Sequence, residues 1–327
     1  MNVSAALDWL FSTQFFGIKL GLDNTRKLLA AAGADRINAT VVHVAGTNGK
    51  GSTCAMIEAL ARAQGYVTGL FTSPHLVDFS ERIRVNGDMI TPDALAEELS
   101  FLKQLAEGWE QPPTFFELAL AVALRHFRKN SVNFIILETG LGGRLDATNA
   151  VPKDIAVLAP IGLDHQQYLG DTLEEIAQTK SGIIKPGCTV VSARQQENVR
   201  LILRKKAESL NCIYTEAEPE QMSIEKEDYK GLTFSYKKYA HMQNHIAGEC
   251  QRENLSVALE VIESLRKLGY QIEEEAVRDG LDATRWAGRF TCLSEDPVVI
   301  VDGAHNEDAA KKLRTSIERY FTGEELI

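Results

Sequence analysis

Val41-Val42-His43-Val44-Ala45-Gly46-Thr47-Asn48-Gly49-Lys50-Gly51-Ser52-Thr53 is the stretch that decides how this chain folds. A β-branched apolar run breaks into a loop of glycines, a lysine and hydroxyl residues. Met56, Ile57, Leu60 and Ala61 then recur on one helical face. Strand, glycine loop and helix together bring backbone N–H groups onto an anion, and the helix N-terminus adds positive potential. On this reading Gly46, Thr47, Asn48, Gly49, Lys50, Gly51 and Ser52 form a phosphate cradle. Lys50 reaches the terminal phosphates and Ser52 holds magnesium. Gly51 separates the lysine from the hydroxyl, a departure from the plain Walker A spacing. The alternative is a glycine-rich turn packed close to a sheet; the surrounding pattern favours nucleotide.

Further strand signals fall at 67–71, 133–137, 155–158 and 189–192, with helical segments beginning at Pro92 and Thr114 and others at 171–184 and 198–210. Such alternation predicts an α/β fold: a P-loop domain with a mainly parallel sheet flanked by helices, its ligands at the carboxyl ends of the strands. Residues 1–39 read as helical, and 81–90 as a hairpin around Asn86-Gly87. The Thr114 helix is apolar nearly all round and therefore buried. Residues 216–245 read as acidic and irregular with a hairpin near 232–236, followed by helices at 254–268 and 273–281. Gly288-Arg289 reads as a hinge, then a strand at 297–301, Asp302-Gly303-Ala304-His305-Asn306 and a helix to Tyr320. The expected organisation is a central ATP-binding domain, 1–287, and the beginning of a second, Rossmann-like α/β domain, 288–327. One strand and one helix bury little, so that second domain reads as cut short.

The formal net charge of −10 opposes general nucleic-acid binding, so any anion site must be made locally. The five cysteines are scattered without metal-type spacing and are expected to stay reduced. No basic leader with a long apolar core and no membrane-length apolar run occurs. The expectation is a cytoplasmic protein.

Lys180 falls seven residues after Leu173, on the stripe that Ile176 and Ala177 turn inward. Either its stem snorkels and its amine reaches water, or the amine is partly buried with a lowered pKa. A neutral amine can add carbon dioxide and become an acidic carbamate. The pattern by itself favours snorkelling. Glu138 ends a buried strand, where an unpaired carboxylate is costly unless it meets a cation. Asp164 and His165 follow the next strand, and a carboxylate, an imidazole and a hydroxyl suit magnesium beside a phosphate loop. Glu117, three residues after Thr114, reads first as a capping box, which does not exclude ligand contact. Asp302 and His305 either cap the last helix or join Arg289 in a lid over the phosphates.

Six stretches resemble folylpolyglutamate synthase, including the bifunctional dihydrofolate synthase form, within the Mur-ligase superfamily. They are H-V-A-G-T-N-G-K-G-S-T (43–53), F-T-S-P-H-L (71–76), E-T-G-L-G-G-R-L-D-A-T-N (138–149), L-D-H-Q (163–166), L-G-D-T-L-E-E-I-A-Q-T-K-S-G-I-I-K (169–185) and D-G-A-H-N (302–306). The resemblance implies ATP-dependent addition of L-glutamate to dihydropteroate or a reduced folate; the expectation is a monomer with small-molecule substrates and no nucleic-acid or membrane partner. It implies ATP phosphates on Gly46–Ser52 and nucleotide contacts from Asn254, Arg289, Asp302 and His305. It also implies magnesium on Ser73, Glu138 and His165, with Lys50, Lys180 and His165 catalytic and Lys180 carbamylated by carbon dioxide, which reverses the snorkelling reading. The pterin-bearing substrate is implied beside Thr114, Phe115, Phe116 and Glu117, and beside Leu145, Asp146 and Ala147. Trp286-Ala287-Gly288-Arg289 stands where the family usually has W-P-G-R, which loosens the hinge without removing a ligand. Rival readings are a peptidoglycan-precursor ligase and an inactive nucleotide- or folate-binding homologue.

Overall fold

The computed structural model describes residues 1–16 and 21–323. Its main sheet comprises β1 (Thr40–Ala45), β2 (Thr68–Phe71), β3 (Ile83–Val85), β4 (Asp88–Met89), β5 (Phe134–Glu138), β6 (Ile155–Leu158), β7 (Thr189–Ser192) and β8 (Ile213–Glu216). The order is β4-β3-β2-β5-β1-β6-β7-β8. All neighbours from β2 to β8 are parallel, and the β3–β4 hairpin adds an antiparallel edge. The strands β1, β2, β5, β6 and β7 are buried throughout, as expected for a sheet covered on both faces.

Helices Lys50–Ala63 and Gln251–Lys267 cover one face through Met56, Ile57, Leu60, Leu255, Leu259 and Ile262. Phe115–Lys129 lies in the apolar cluster of the other face, where Leu118 to Leu124 are all buried, as its all-round apolarity predicts. Helix Glu274–Ala283 packs closely on Lys50–Ala63, and a Cβ at Gly280 would stand 2.7 Å from the Leu60 Cα. A backbone atom gives way poorly, so Gly280→Ala is expected to cost about 1–3 kcal/mol, read as a lower midpoint in urea unfolding with unchanged slope.

Several expectations need correction. The stretch 1–39 resolves into helices Val3–Ser12 and Asp23–Ala31 and a 3-10 turn Thr13–Phe16, with Gly33 at φ +65° after the second helix; residues 17–20 lie outside the described residues. The segment read as irregular is an antiparallel sheet of β9 (Met222–Asp228), β10 (Gly231–Tyr236) and β11 (Tyr239–Asn244). Leu232, Phe234, Tyr236, Tyr239 and Met242 are buried, and the hairpin expected near 232–236 is β10 with its antiparallel partners, whereas the consecutive charged residues 225–228 hide β9. The expected 171–184 helix is shorter, Leu173–Lys180, opened by a Thr172–Glu175 capping box and continued by the 3-10 turn Ser181–Ile183. Near the end, β12 (Thr291–Glu295) pairs antiparallel with β13 (Val298–Val301), where only the second strand is legible in the sequence. Helix Glu307–Tyr320 packs against β9 and the segment ahead of helix Gln251–Lys267: Ser316 Oγ accepts from Glu249 N–H, and Tyr320 Oη donates to Glu227.

Candidate active site

The loop after β1 is held from the β6 side. Thr47 N–H donates to Pro160 O (2.8 Å), and Thr47 Oγ1 donates to Gly162 O (2.9 Å). Gly46 passes so near Ala159 that a Cβ would stand 2.7 Å from the alanine methyl. Gly49, at φ +79°, turns the chain into helix Lys50–Ala63, the left-handed conformation that glycine adopts without penalty. Lys50 Nζ donates to Thr47 O at 3.1 Å, across the mouth of its own loop. The Ser52 hydroxyl is buried without a hydrogen-bond partner.

Glu138 is fixed beside this loop by strand pairing, since Val44 and Glu138 are Cα partners in the β1–β5 ladder. Its carboxylate is buried and accepts from Ser73 N–H at 2.9 Å. Burial raises its pKa, opposed by Lys50, the Ser73 N–H, Arg289 and Arg82. A buried carboxylate beside an unpartnered hydroxyl fits a hard cation. Among the described residues no group of three or more His, Cys, Asp or Glu could hold a metal ion. Exposed His165, at φ +48°, opens the short helix Gln166–Leu169 after β6, its N–H donating to Asp164 Oδ1.

Lys180 does not snorkel. It is 4 % exposed, and Nζ donates to Gly46 O at 2.7 Å, so the amine reaches the phosphate loop itself. Burial, with the Lys50 ammonium adding, brings its pKa down to about 7. The 141–146 turn covers it: a Cβ at Gly143 would stand 2.8 Å from Lys180 O, and Arg144 N–H donates to Thr179 O.

At the other end of the cleft, Phe115 stacks on Phe11 with centroids 5.7 Å apart and lies 5.2 Å from the Arg82 guanidinium. Phe116 packs on Phe71 and against Gly140. Glu117 forms the expected capping box with Thr114, and its two oxygens also accept from Thr25 Oγ1 (2.8 Å) and Asn24 Nδ2 (3.1 Å). Asp146 accepts from Leu141 N–H (2.8 Å), Thr148 N–H (3.0 Å) and the Thr148 hydroxyl. Both carboxylates are thus committed to shaping the wall. Leu145 is exposed on the same turn and Ala147 buried.

The roof comes from the last segment. Asp302 is occupied by the hinge, accepting from Phe290 N–H (2.7 Å) and Ala304 N–H (2.8 Å), and Arg289 Nη1 donates to Gly288 O. His305 Nδ1 lies 2.7 Å from Gly303 O, and its Nε2 is 3.9 Å from Asp164. Asn254 leaves Oδ1 buried and unpartnered against Gly49, where a Cβ would overlap it. Asn306, absent from the expected set, exchanges hydrogen bonds with Asn48 and donates to Asp164 Oδ2 at 3.1 Å. Arg82 also escapes sequence reading, because an arginine in a half-polar hairpin looks like a solvent-facing residue. Burial brings its pKa down to about 10, and its Nε donates to His75 Nδ1 at 2.8 Å. One cleft of about 660 Å³ gathers all of these expected residues, from Gly46 to His305.

A phosphate loop, a buried carboxylate at the neighbouring strand end and an enclosed lysine on a parallel sheet define the class as a Mur-type ligase fold, and the Mur ligase middle domain model matches residues 44–262. The dihydrofolate synthase/folylpolyglutamate synthase of Bacillus subtilis is 37 % identical over 327 residues, covering 97 % of this chain and 76 % of that protein. A folylpolyglutamate synthase structure from Thermotoga maritima superposes with TM-score 0.88 at 30 % identity, covering 99 % of this chain and 76 % of its own. E. coli FolC in complex with DHPP and ADP superposes with TM-score 0.84 at 31 % identity, over 96 % of this chain and 74 % of that one. This chain belongs to the folylpolyglutamate synthase/dihydrofolate synthase family of Mur ligases.

Proposed function

We propose that this chain catalyses ATP-dependent ligation of L-glutamate to dihydropteroate, a reduced folate or both. What carries the reading is the meeting, in one cleft, of a phosphate loop and the turn that carries Leu145, with Lys50 and Lys180 at the loop end. The family relatives support it. The substrate carboxylate attacks the terminal phosphorus of ATP, forming an acyl phosphate and releasing ADP. The glutamate amine then attacks the acyl carbon and expels phosphate.

Gly46 to Ser52 hold the phosphates, and Lys50 sets positive charge against the group in transfer. Magnesium, when bound, draws negative charge from the phosphoryl oxygens, and Ser52, Ser73, Glu138 and His165 are its proposed ligands. Lys180, with its pKa near 7, is proposed to carry a carbamate that orients charge beside the loop. Asn254, Arg289, Asp302 and His305 are assigned to the nucleotide side. Thr114 to Glu117 and Leu145 to Ala147 are assigned to the pterin side, where Glu117 and Asp146 act by shaping the wall. The domain boundary is placed at 287/288, and the enzyme is read as a cytoplasmic monomer. Holding three reactants together supplies much of the acceleration.

The test is ADP release by this chain with ATP, magnesium, L-glutamate and either dihydropteroate or tetrahydrofolate. Release that requires glutamate and one pterin supports the ligase, and the pterin that works separates the two activities. ATP binding with no release under any combination overturns the assignment for this chain.

A further inference from the structure

A buried polar group that the proposed reaction does not use lies behind the Leu141–Ala147 turn. His43 sits in the middle of β1, fully buried, and does not line the cleft. Its Nε2 is 2.7 Å from Thr148 Oγ1, and its Nδ1 is 2.7 Å from Lys153 Nζ. Thr148 Oγ1 in turn donates to Asp146 Oδ1. Burial, with the Lys153 and Lys185 cations adding, holds the imidazole well below its ordinary range. The ring is therefore neutral, with one donor and one acceptor nitrogen.

The direction of the chain follows from its carboxylate end. Burial raises the Asp146 pKa, opposed by the Thr148 hydroxyl and by the Leu141, Thr148 and Gly140 N–H groups that all point to its oxygens. With these donors converging on it the carboxylate accepts, and the Thr148 hydroxyl proton points to it. Thr148 Oγ1 then accepts from His43 Nε2–H, Nδ1 is left as the acceptor, and Lys153 must donate. Lys153 donates also to Asn149 Oδ1 at 2.7 Å. The Asn149 amide is oriented by its own donation to Arg144 O (2.9 Å) and Gly182 O (3.1 Å). A lysine amine, charged or neutral, has protons enough for both bonds. At the far end the Asp146 carboxylate receives Leu141 N–H and Thr148 N–H, and so closes the turn from both sides.

We propose that Lys153, His43 and Thr148 are positioning residues for the acceptor: their one-way hydrogen-bond chain holds Asp146, and with it the 141–147 turn, in the shape that receives the pterin-bearing substrate. The proposal rests on the reading that this turn borders the acceptor. No member of the chain touches a reacting atom.

Thr148→Val keeps the side-chain shape and the backbone N–H but removes the link, and Lys153→Met removes the first donor. In Thr148→Val, hydrogen exchange at the Leu141 and Thr148 amides should quicken about tenfold, while exchange in β1 and β5 stays as in the parent. The KM for the pterin should rise about tenfold with the KM for ATP within about twofold, and Thr148→Ser should return both readings toward the parent. In the parent and in Lys153→Met alike, nitrogen NMR should show the His43 proton on Nε2, because Asp146 sets the direction from the other end. Should that variant not fold, the Thr148→Val and Thr148→Ser pair decides alone. Unchanged exchange in Thr148→Val, faster exchange spread across the whole sheet, or a parent imidazole protonated at Nδ1 overturns the chain. If the parent uses no pterin acceptor, the functional reading fails, while exchange and tautomer still judge the chain by themselves.

Discussion

Lys50→Ala abolishes ADP release coupled to glutamate ligation, with turnover expected to fall at least about 10²–10³-fold, the loss seen when one fixed donor to developing charge is removed. The amine lies on the first turn of its helix and, among the described residues, donates to Thr47 O alone, so the fold should survive, with a melting temperature close to the parent's. Two neighbours feel the change. Lys50 is the first of the charges opposing the burial that raises the Glu138 pKa, and it is the cation that pushes Lys180 downward. Its removal therefore raises Glu138 further, weakening the proposed cation site, and relieves Lys180, disfavouring its neutral form. The loss should accordingly exceed that from phosphate contact alone. Steady-state kinetics with coupled ADP detection makes the check, and full retained activity removes Lys50 from the mechanism.

The second large effect is at Lys180. Carbamate formation needs the neutral amine, and burial, aided by Lys50, places its pKa near 7. Activity should rise as pH passes upward through about 7 and should fall in buffers stripped of carbon dioxide, returning when bicarbonate is added. Lys180→Ala should lose at least about 100-fold and lose the bicarbonate response with it. Carbon-13 bicarbonate should give a carbamate NMR signal in the parent that is missing from the variant; a parent indifferent to bicarbonate with no such signal removes the carbamate.

The same depression acts on stability, with a definite sign. The unfolded chain holds the Lys180 proton up to about 10.4, the folded chain only to about 7. Between those values the unfolded state binds more protons, so stability rises with pH across that window, and below it the full penalty for a buried charge is present. Lys180→Met should therefore flatten the pH dependence of urea unfolding between about pH 7 and 10 while abolishing ligation.

The parallel sheet and its phosphate loop were readable because both rest on local rules: β-branched runs mark buried strands, and a lysine among glycines at a strand end has few other uses. Glu138 could be placed at a strand end from its run of apolar neighbours. Lys180 was ambiguous, because helical period puts a side chain on an inward face but does not say whether water waits at the end of a four-carbon stem. Tertiary packing decided it, through the 141–146 turn laid across the lysine. The β9–β11 sheet was legible in part: alternation at 232–236 marks a hairpin, while the charged run 225–228 hides β9, and Arg82 escapes because its partners Glu138 and His75 come from other strands and loops. The hydrogen bonds that occupy Glu117 and Asp146 were half legible: a capping box shows in sequence, but Thr25 reaching Glu117 from 92 residues away does not.

The ladder between β1 and β5 also works as a ruler. Val44 stands opposite Glu138, and on the other side Ala45 stands opposite Leu158, so the ends of three central strands are in step. Adjacent strands lie about 4.8 Å apart, and a slip of one residue would turn Glu138 to the opposite face. The separation between the phosphate loop and its acidic neighbour is therefore a dimension of the hydrophobic core. It exists before any nucleotide arrives and is as hard to deform as the middle of the sheet.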